Sequence, residues 1–191
     1  MSFVAEILAA AERRDTRPLL IEVHGRRQLP TSGRTLLAKV AHARAALAKR
    51  GIAPGDRVGL LGPNSADWVA LDLAILAQGA ICVPLYSRQA PIQLAAMLRD
   101  AEATLLIVSD GALLASIEPH LPSGCSLVRY EALFAQEDAV AVAGAAESSA
   151  DEPITIIYTS GTSGEPKGVM LSARNVDFML DVTVERIGRM T

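Results

Sequence analysis

Short apolar segments alternate with helix-forming segments along most of this chain, and turn residues separate them. Strands are predicted at Pro18–Val23, Asp56–Leu61, Ala80–Leu85, Thr104–Ser109 and Ser126–Arg129. Helices are predicted at Val4–Arg14, Arg34–Arg50, Ser65–Ala77, Pro91–Ala101 and Gly111–His120. Because buried strands joined by helices form crossover units, this pattern predicts an α/β fold with a largely parallel sheet flanked by helices.

A change of composition divides the chain near its end. Val140–Glu152 reads VAVAGAAESSADE, and small, Ala/Ser-rich, acidic stretches of this kind are typical of surface linkers. It is expected to separate an α/β subdomain of residues 1–139 from residues 153–191, which begin the next subdomain. In that last part we predict strands at Ile154–Tyr158 and Val169–Leu171 and a helix over Asn175–Arg189.

Charge and cysteine content exclude several classes of function. The net charge is −3, which does not favour a nucleic-acid partner. The first 50 residues carry ten Lys/Arg against four Asp/Glu, which fits either an acidic membrane surface or, as we prefer, a solvated helix face. The two cysteines, Cys82 and Cys125, indicate no disulfide framework and no zinc site, and Cys82 is interpreted as a small buried apolar residue. No signal peptide is recognised, so a cytoplasmic location is expected.

The most informative segment is Tyr158–Val169, which reads YTSGTSGEPKGV directly after a predicted buried strand. Its glycines allow close approach of the backbone to a ligand, and successive N–H groups in such turns form anion-binding nests. Hydroxyl groups and one ammonium group add further donors. In open α/β sheets ligands bind where such strands end. The segment is therefore predicted to be a loop that binds the polyphosphate tail of ATP.

Two other interpretations of this loop are weaker. A Walker loop has lysine after glycine and before Ser/Thr, whereas Lys167 lies between Pro166 and Gly168. A flexible hairpin turn would explain Gly and Ser alone, but not their ordered combination with Pro-Lys-Gly. The other lysines of the chain, Lys39 and Lys49, lie on the polar side of a predicted helix and are interpreted as solvated.

The residues YTSGTSGEPKGVMLSARN resemble the phosphate-loop signature of the adenylate-forming superfamily, which includes acyl-CoA synthetases, peptide-synthetase adenylation domains and beetle luciferases. The match departs at Ser163, where the family usually has threonine, and the hydroxyl is kept. Similar blocks precede the loop in the family's order, at Gly55–Val58, Pro63–Ser65, Trp68, Ala74–Tyr86, Pro91–Asp100 and Ala103–Val108. We interpret these earlier blocks as architecture without chemistry.

The resemblance implies two half-reactions. A carboxylate attacks the α-phosphate of ATP to give an acyl-adenylate and pyrophosphate, and a thiol then takes the acyl group. It also implies ATP, Mg²⁺ and coenzyme A for the full enzyme, and a small-molecule carboxylic acid as substrate. The residues implied to hold the β- and γ-phosphates are Thr159, Ser160, Gly161, Thr162, Ser163, Gly164 and Lys167.

The family's Tyr-Gly-x-Thr-Glu motif, ribose-binding Asp and catalytic Lys are not found in this sequence. The chain is therefore expected to be a partial N-terminal domain of an acyl-CoA synthetase-like fold. We expect it to contain no catalytic residue and no metal ligand, to bind no cofactor alone, to be inactive alone, and to tend to self-associate.

The sequences of Val83–Tyr86 and Glu165–Ser172 most resemble those of medium- and long-chain fatty acyl-CoA synthetases, so this branch of the family is favoured. The alternatives are an amino-acid adenylation domain of a peptide synthetase and a non-catalytic nucleotide- or partner-binding module.

Overall fold

A computed structural model of the chain describes residues 3–135, 149–160 and 166–188. The strands are β1 (Pro18–His24), β2 (Arg27–Ser32), β3 (Arg57–Leu61), β4 (Ile81–Leu85), β5 (Leu105–Val108), β6 (Ser126–Arg129), β7 (Pro153–Ser160) and β8 (Pro166–Ser172). The helices are α1 (Phe3–Arg13), α2 (Gly33–Lys49), α3 (Ala66–Ala77), α4 (Pro91–Asp100), α5 (Gly111–Ile117), α6 (Glu131–Phe134) and α7 (Ala173–Gly188). A 3₁₀ turn, Glu118–His120, follows α5.

A six-stranded sheet with the order β6-β5-β3-β4-β7-β8 lies at the centre of the fold. Strands β3 to β7 pair with one another in the parallel sense, and β8 pairs in the antiparallel sense with β7. The predicted α/β fold with a largely parallel sheet is therefore confirmed. The five strands first predicted all form, and their bounds shift by a residue or so.

Helices cover both faces of the sheet. Alternate residues of the central strands point to opposite sides, so each strand contributes side chains to two cores. Leu60, Cys82 and Ile107 belong to the core under α2 and α3. Leu61, Val83 and Leu106 belong to the core under α4 and α5. Strands buried on both faces read as nearly continuous apolar runs, and this is why their sequence pattern was easy to recognise.

Strand β2 was not predicted. It carries Arg27, Gln28 and Pro30, so it lacks the apolar pattern of a strand. It forms because it pairs antiparallel with β1 in a separate two-stranded hairpin, with Ile21 opposite Pro30. Cross-strand pairing, rather than burial of its own side chains, stabilises this strand.

The predicted caps are present. The Ser65 hydroxyl accepts a hydrogen bond from the Trp68 N–H at 3.0 Å, and Gly51 has a φ of +79° after α2. In contrast, the interpretation of Lys39 as solvated was wrong. Its ammonium group is paired with the Asp67 carboxylate and lies 4.9 Å from the ring centroid of Phe134. Helix α3 brings this partner to a lysine 28 positions earlier in the chain, a separation that sequence spacing does not report.

Residues 149–152 form an exposed turn that leads into β7, and the rest of the predicted linker lies outside the described residues. Beyond this turn, β7 pairs with β4 at Thr155 and Cys82, so the two predicted subdomains contribute to one sheet. The division at residue 140 stays a prediction. Within the described ranges, no helix combines the length and apolar character that a membrane crossing requires.

Candidate functional site

Five parallel strands end at the same edge of the sheet. The residues that follow β3, β4, β5 and β6 there are Gly62, Tyr86, Ser109 and Tyr130. Strand β7 ends at this edge too, and the predicted phosphate loop begins from its last residues. Because ligands of open α/β sheets bind beyond the carboxyl ends of the strands, the loop starts in the position where a ligand site is expected.

The hairpin of β7 and β8 brings the two ends of the loop together. Thr159 lies directly opposite Lys167, and Ser160 lies opposite Pro166. Residues opposite one another in an antiparallel pair project from the same face, so the side chains of Thr159 and Lys167 lie on one face of the hairpin. Both residues are exposed. A hydroxyl donor thus lies beside a cation at the mouth of the loop.

Three of the seven predicted site residues, Thr159, Ser160 and Lys167, are brought together by this register. The other four, Gly161, Thr162, Ser163 and Gly164, lie outside the described residues. The roles of all seven in phosphate binding stay predictions. Among the ion pairs formed between described residues, none includes Lys167. Its charge is therefore not neutralised within this part of the chain, which suits contact with an anion.

Tyr158 connects the loop-bearing strand to helix α4. Its Oη lies 2.6 Å from Oδ2 of Asp100 and 3.0 Å from the carbonyl oxygen of Met97. Burial, followed by the hydrogen bond to Asp100 and the negative charge of that carboxylate, raises the pKa of the Tyr158 phenol far above its usual value. The hydroxyl is therefore a neutral donor throughout the physiological pH range. Sequence reasoning missed this pair, because 58 residues separate its members and only the fold brings them together.

Gly168 lies opposite Tyr158 in the hairpin. A Cβ atom at this glycine would lie 2.9 Å from Cγ2 of Ile156 and 3.1 Å from Cζ of Tyr158. The tyrosine ring thus packs across the glycine backbone, in an arrangement that compensates for a glycine on an edge strand. Packing of the Tyr158 and Ile156 side chains therefore favours a glycine next to Lys167.

A second side-chain pair missed by sequence reasoning lies in the core between α3 and β4. Cys82 is fully buried, as predicted, and the Asp72 carboxyl lies close to its thiol. Burial raises the pKa of the thiol well above its usual value, and the nearby Asp72 carboxylate adds to this effect. Burial also raises the pKa of the Asp72 carboxyl. The thiol stays protonated and unreactive at neutral pH.

No group of three or more His, Cys, Asp or Glu side chains within residues 3–135, 149–160 and 166–188 is arranged to hold a metal ion. The described donors at the loop are instead a hydroxyl and an ammonium group. This donor set fits an anionic phosphate and does not by itself fit a cation.

Comparison with known proteins agrees with this geometry. Residues 8–189 match the family described as AMP-binding enzyme. The long-chain-fatty-acid–CoA ligase FadD15 of Mycobacterium bovis is 32% identical over 141 residues, which covers 66% of this chain and 24% of the ligase. Pyochelin synthetase PchF of Pseudomonas aeruginosa is 37% identical over 141 residues, which covers 73% of this chain and 7% of the synthetase. The chain thus spans about a quarter or less of these relatives.

The fold is shared with solved structures. A benzoate CoA ligase from Burkholderia xenovorans superposes with a TM-score of 0.78 at 22% identity, covering 93% of this chain and 36% of that protein. At this identity the likeness concerns the fold alone. Three observations indicate the same family: the parallel sheet, the glycine-rich sequence that follows β7, and the family match over almost the whole length. This chain belongs to the AMP-binding enzyme family of adenylate-forming proteins.

Proposed function

We propose that this chain is the phosphate-binding part of an AMP-forming acid–thiol ligase. The observation that carries the proposal is the pairing of Thr159 with Lys167 at the carboxyl edge of a parallel sheet. In the first half-reaction, negative charge develops on the departing pyrophosphate. Hydrogen-bond donors and a cation held in place before the reaction stabilise such charge without reorganising.

Each part of the loop has its own task in this proposal. Lys167 supplies a full positive charge to the β- and γ-phosphates. The hydroxyls of Thr159, Ser160, Thr162 and Ser163 donate hydrogen bonds to phosphate oxygens, and Gly161 and Gly164 let backbone N–H groups approach. Mg²⁺, bound with the nucleotide, would neutralise further phosphate charge.

The acyl substrate is proposed to be a carboxylic acid, with a fatty acid as the first candidate and coenzyme A as the acceptor. The similarity to the ligase FadD15 and the residues Val83–Tyr86 support this choice. The similarity to pyochelin synthetase PchF over a larger share of the chain supports the second candidate, an amino-acid adenylation domain. Exchange of ATP with labelled pyrophosphate, measured with fatty, aromatic and amino acids in turn, distinguishes the two candidates.

The chain by itself is proposed to be inactive, because it spans only part of its relatives and lacks the Tyr-Gly-x-Thr-Glu motif. ATP–pyrophosphate exchange by the purified 191-residue chain would contradict this proposal. Association of the isolated chain with itself is also proposed. The exposed apolar residues of β8 and α7 support it, since Met170 is 65% exposed and Phe178 is 71% exposed.

The loop assignment is tested in an enzyme that carries this chain together with the remaining length of the family. Replacing Thr162 and Lys167 by alanine should slow ATP–pyrophosphate exchange by about two to three orders of magnitude. The matched control is Lys49→Ala, because Lys49 lies at the end of α2 and far along the chain from the loop. An exchange rate unchanged in the double variant would refute the assigned role.

A further inference from the structure

Several contacts determine the position of the end of β7 from which the phosphate loop begins. Strand β7 is registered to β4 through the pair Thr155 and Cys82, three residues before Tyr158. On its other side lies β8, an edge strand with exposed residues. A contact outside the sheet would hold this segment against the rest of the fold.

Tyr158 makes that contact with a fixed element. Helix α4 is anchored in the core by Leu94, Met97 and Leu98, each at most 2% exposed. Oη of Tyr158 reaches the last turn of this helix, at 2.6 Å from Oδ2 of Asp100. A separation this short is typical of a hydroxyl that donates to a carboxylate, a bond about twice as strong as one between neutral groups. Because the hydroxyl has one proton, the Met97 carbonyl is only a secondary acceptor.

The position of Asp100 supports a role other than helix stability. A carboxylate at the C-terminal end of a helix is unfavourable toward the helix dipole, so Asp100 does not stabilise α4 by its charge. Its oxygen instead accepts a hydrogen bond from the Tyr158 hydroxyl, and the Tyr158 ring packs across Gly168 next to Lys167. The same side chain thus contacts the helix, its own strand and the strand that returns from the loop.

We propose that the Tyr158–Asp100 hydrogen bond is a latch that holds the end of β7, from which the phosphate loop begins, against helix α4, with Tyr158 as a positioning residue for the pyrophosphate. The inference rests on the proposed function of the loop. Tyr158 does not touch the phosphates. Tyr158 lies two residues before Ser160 and directly opposite Gly168, the residue that follows Lys167. It thereby positions both strands at the points where they enter and leave the loop.

The test measures KM for pyrophosphate in the exchange reaction of the full-length enzyme. This constant does not depend on the fraction of active enzyme, so a variant that is merely less stable does not change it. Tyr158→Phe removes the hydroxyl and keeps the ring. It should raise KM for pyrophosphate about ten-fold and leave KM for the carboxylic acid unchanged, since displacement of a binding group by about 1 Å is costly.

Further variants separate the bond from its surroundings. Asp100→Ala should reproduce the Tyr158→Phe effect, and Asp100→Asn should restore part of the affinity because its amide oxygen still accepts. The double variant Tyr158→Phe/Asp100→Ala should be no worse than Tyr158→Phe alone. Tyr130→Phe is the matched control, because the Tyr130 hydroxyl is buried at the same sheet edge without a hydrogen-bond partner among the described residues.

An unchanged KM for pyrophosphate in Tyr158→Phe, or effects of the two single variants that multiply, would overturn the latch. Lys167→Ala distinguishes this from failure of the proposed function. If Lys167→Ala raises KM for pyrophosphate while Tyr158→Phe does not, only the latch is refuted. If neither variant changes it, the loop does not bind pyrophosphate and both proposals fail.

Discussion

The described part of the chain contains two antiparallel hairpins, β1–β2 and β7–β8, and a side chain of each forms a hydrogen bond at the end of a helix. In the first hairpin, Oε1 of Glu22 accepts a hydrogen bond at 2.9 Å from the backbone N–H of Ala66, the first residue of α3. In the second, the Tyr158 hydroxyl donates to Asp100 at the last residue of α4. The two contacts differ in chemistry, because Glu22 brings a carboxylate to a helix start whereas Tyr158 donates to a carboxylate that α4 itself carries at its end. A helix start offers unpaired N–H groups and favours an anion, whereas a helix end favours a donor.

The two hairpins differ in the segment that joins their strands. The β1–β2 turn contains Gly25 and Arg26, and the second strand continues directly into α2. The β7–β8 connection carries the loop with the predicted phosphate ligands. Attachment of the first hairpin therefore contributes to stability, whereas attachment of the second is proposed to affect ligand affinity. Matched variants of the two hairpins can test this difference.

Among the hairpin variants, alanine substitutions of two glycines are expected to reduce the free energy of unfolding most. These glycines lie where each hairpin meets the rest of the fold. A Cβ atom at Gly33, directly after β2, would lie 2.0 Å from the backbone oxygen of Ala11, whereas a Cβ atom at Gly168 would meet only side-chain atoms, at 2.9 Å or more. Backbone atoms cannot move aside as easily as side-chain atoms can. Gly33→Ala should therefore reduce the free energy of unfolding by about 3 kcal/mol or more, and Gly168→Ala by about 1 kcal/mol.

Urea unfolding of the 191-residue chain measures both glycine variants. Gly25→Ala, at a positive φ of +62° with no atom within 4 Å, provides a control for backbone strain without a clash. A smaller loss for Gly33→Ala than for Gly25→Ala would contradict the packing argument.

A smaller and pH-dependent effect is expected at Glu22. The Ala66 N–H, opposed by burial and assisted by His24, holds the pKa of the Glu22 carboxyl below its usual value. A lowered pKa in the folded state means that the stabilisation is present above the pKa of the unfolded chain, about 4.3, and is lost as the pH falls through the folded-state value. Glu22→Gln should reduce the free energy of unfolding by about 1 kcal/mol at pH 7.

The difference between wild type and Glu22→Gln should shrink as the pH falls through the lowered pKa of Glu22, because the glutamate of the folded chain then becomes protonated as well. Unfolding curves at pH 7, 5 and 3 would measure it. Glu12→Gln, on the exposed side of α1, is the control and should show little difference at any of these pH values. A difference for Glu22→Gln that persists unchanged at the lowest pH would exclude the charge as its cause.

The smallest effects are expected on the outer faces of both hairpins. Ile21 is 55% exposed and Val169 is 45% exposed, so truncation of either side chain removes little packing. Ile21→Ala and Val169→Ala should each change the free energy of unfolding by less than about 0.5 kcal/mol. Leu106→Ala, at a fully buried position of β5, serves as the contrasting variant with an expected loss of about 2–5 kcal/mol. A loss at Val169 close to that at Leu106 would show that the hairpin face is covered in solution.

Much of the fold was predictable because its central strands are buried on both faces and its helices carry local capping signals. Leu105–Val108 is apolar at every position, and Ser65 precedes its helix with the hydroxyl that the cap requires. Strand β2 was not predictable in this way. Its register depends on β1, and its own residues resemble a loop.

The loop ligands were also proposed from local sequence, since glycines, hydroxyls and one lysine occur within ten residues. Contacts between segments that are distant in the sequence were not predicted. They are the contacts of Lys39 with Asp67, of Asp72 with Cys82 and of Tyr158 with Asp100. Their residues carry no periodic signal, because each pair depends on where a helix packs against the sheet.

The sequence by itself indicated most of the order of strands and helices, the resemblance to the family and the residues predicted to meet a phosphate, because these depend on neighbours along the chain. Only the tertiary structure decided that Thr159 and Lys167 lie side by side and that Tyr158 reaches across to Asp100. The first depends on strand register and the second on the packing of α4 against the sheet. Both are set by the balance of contacts over the whole fold, and no local pattern encodes them.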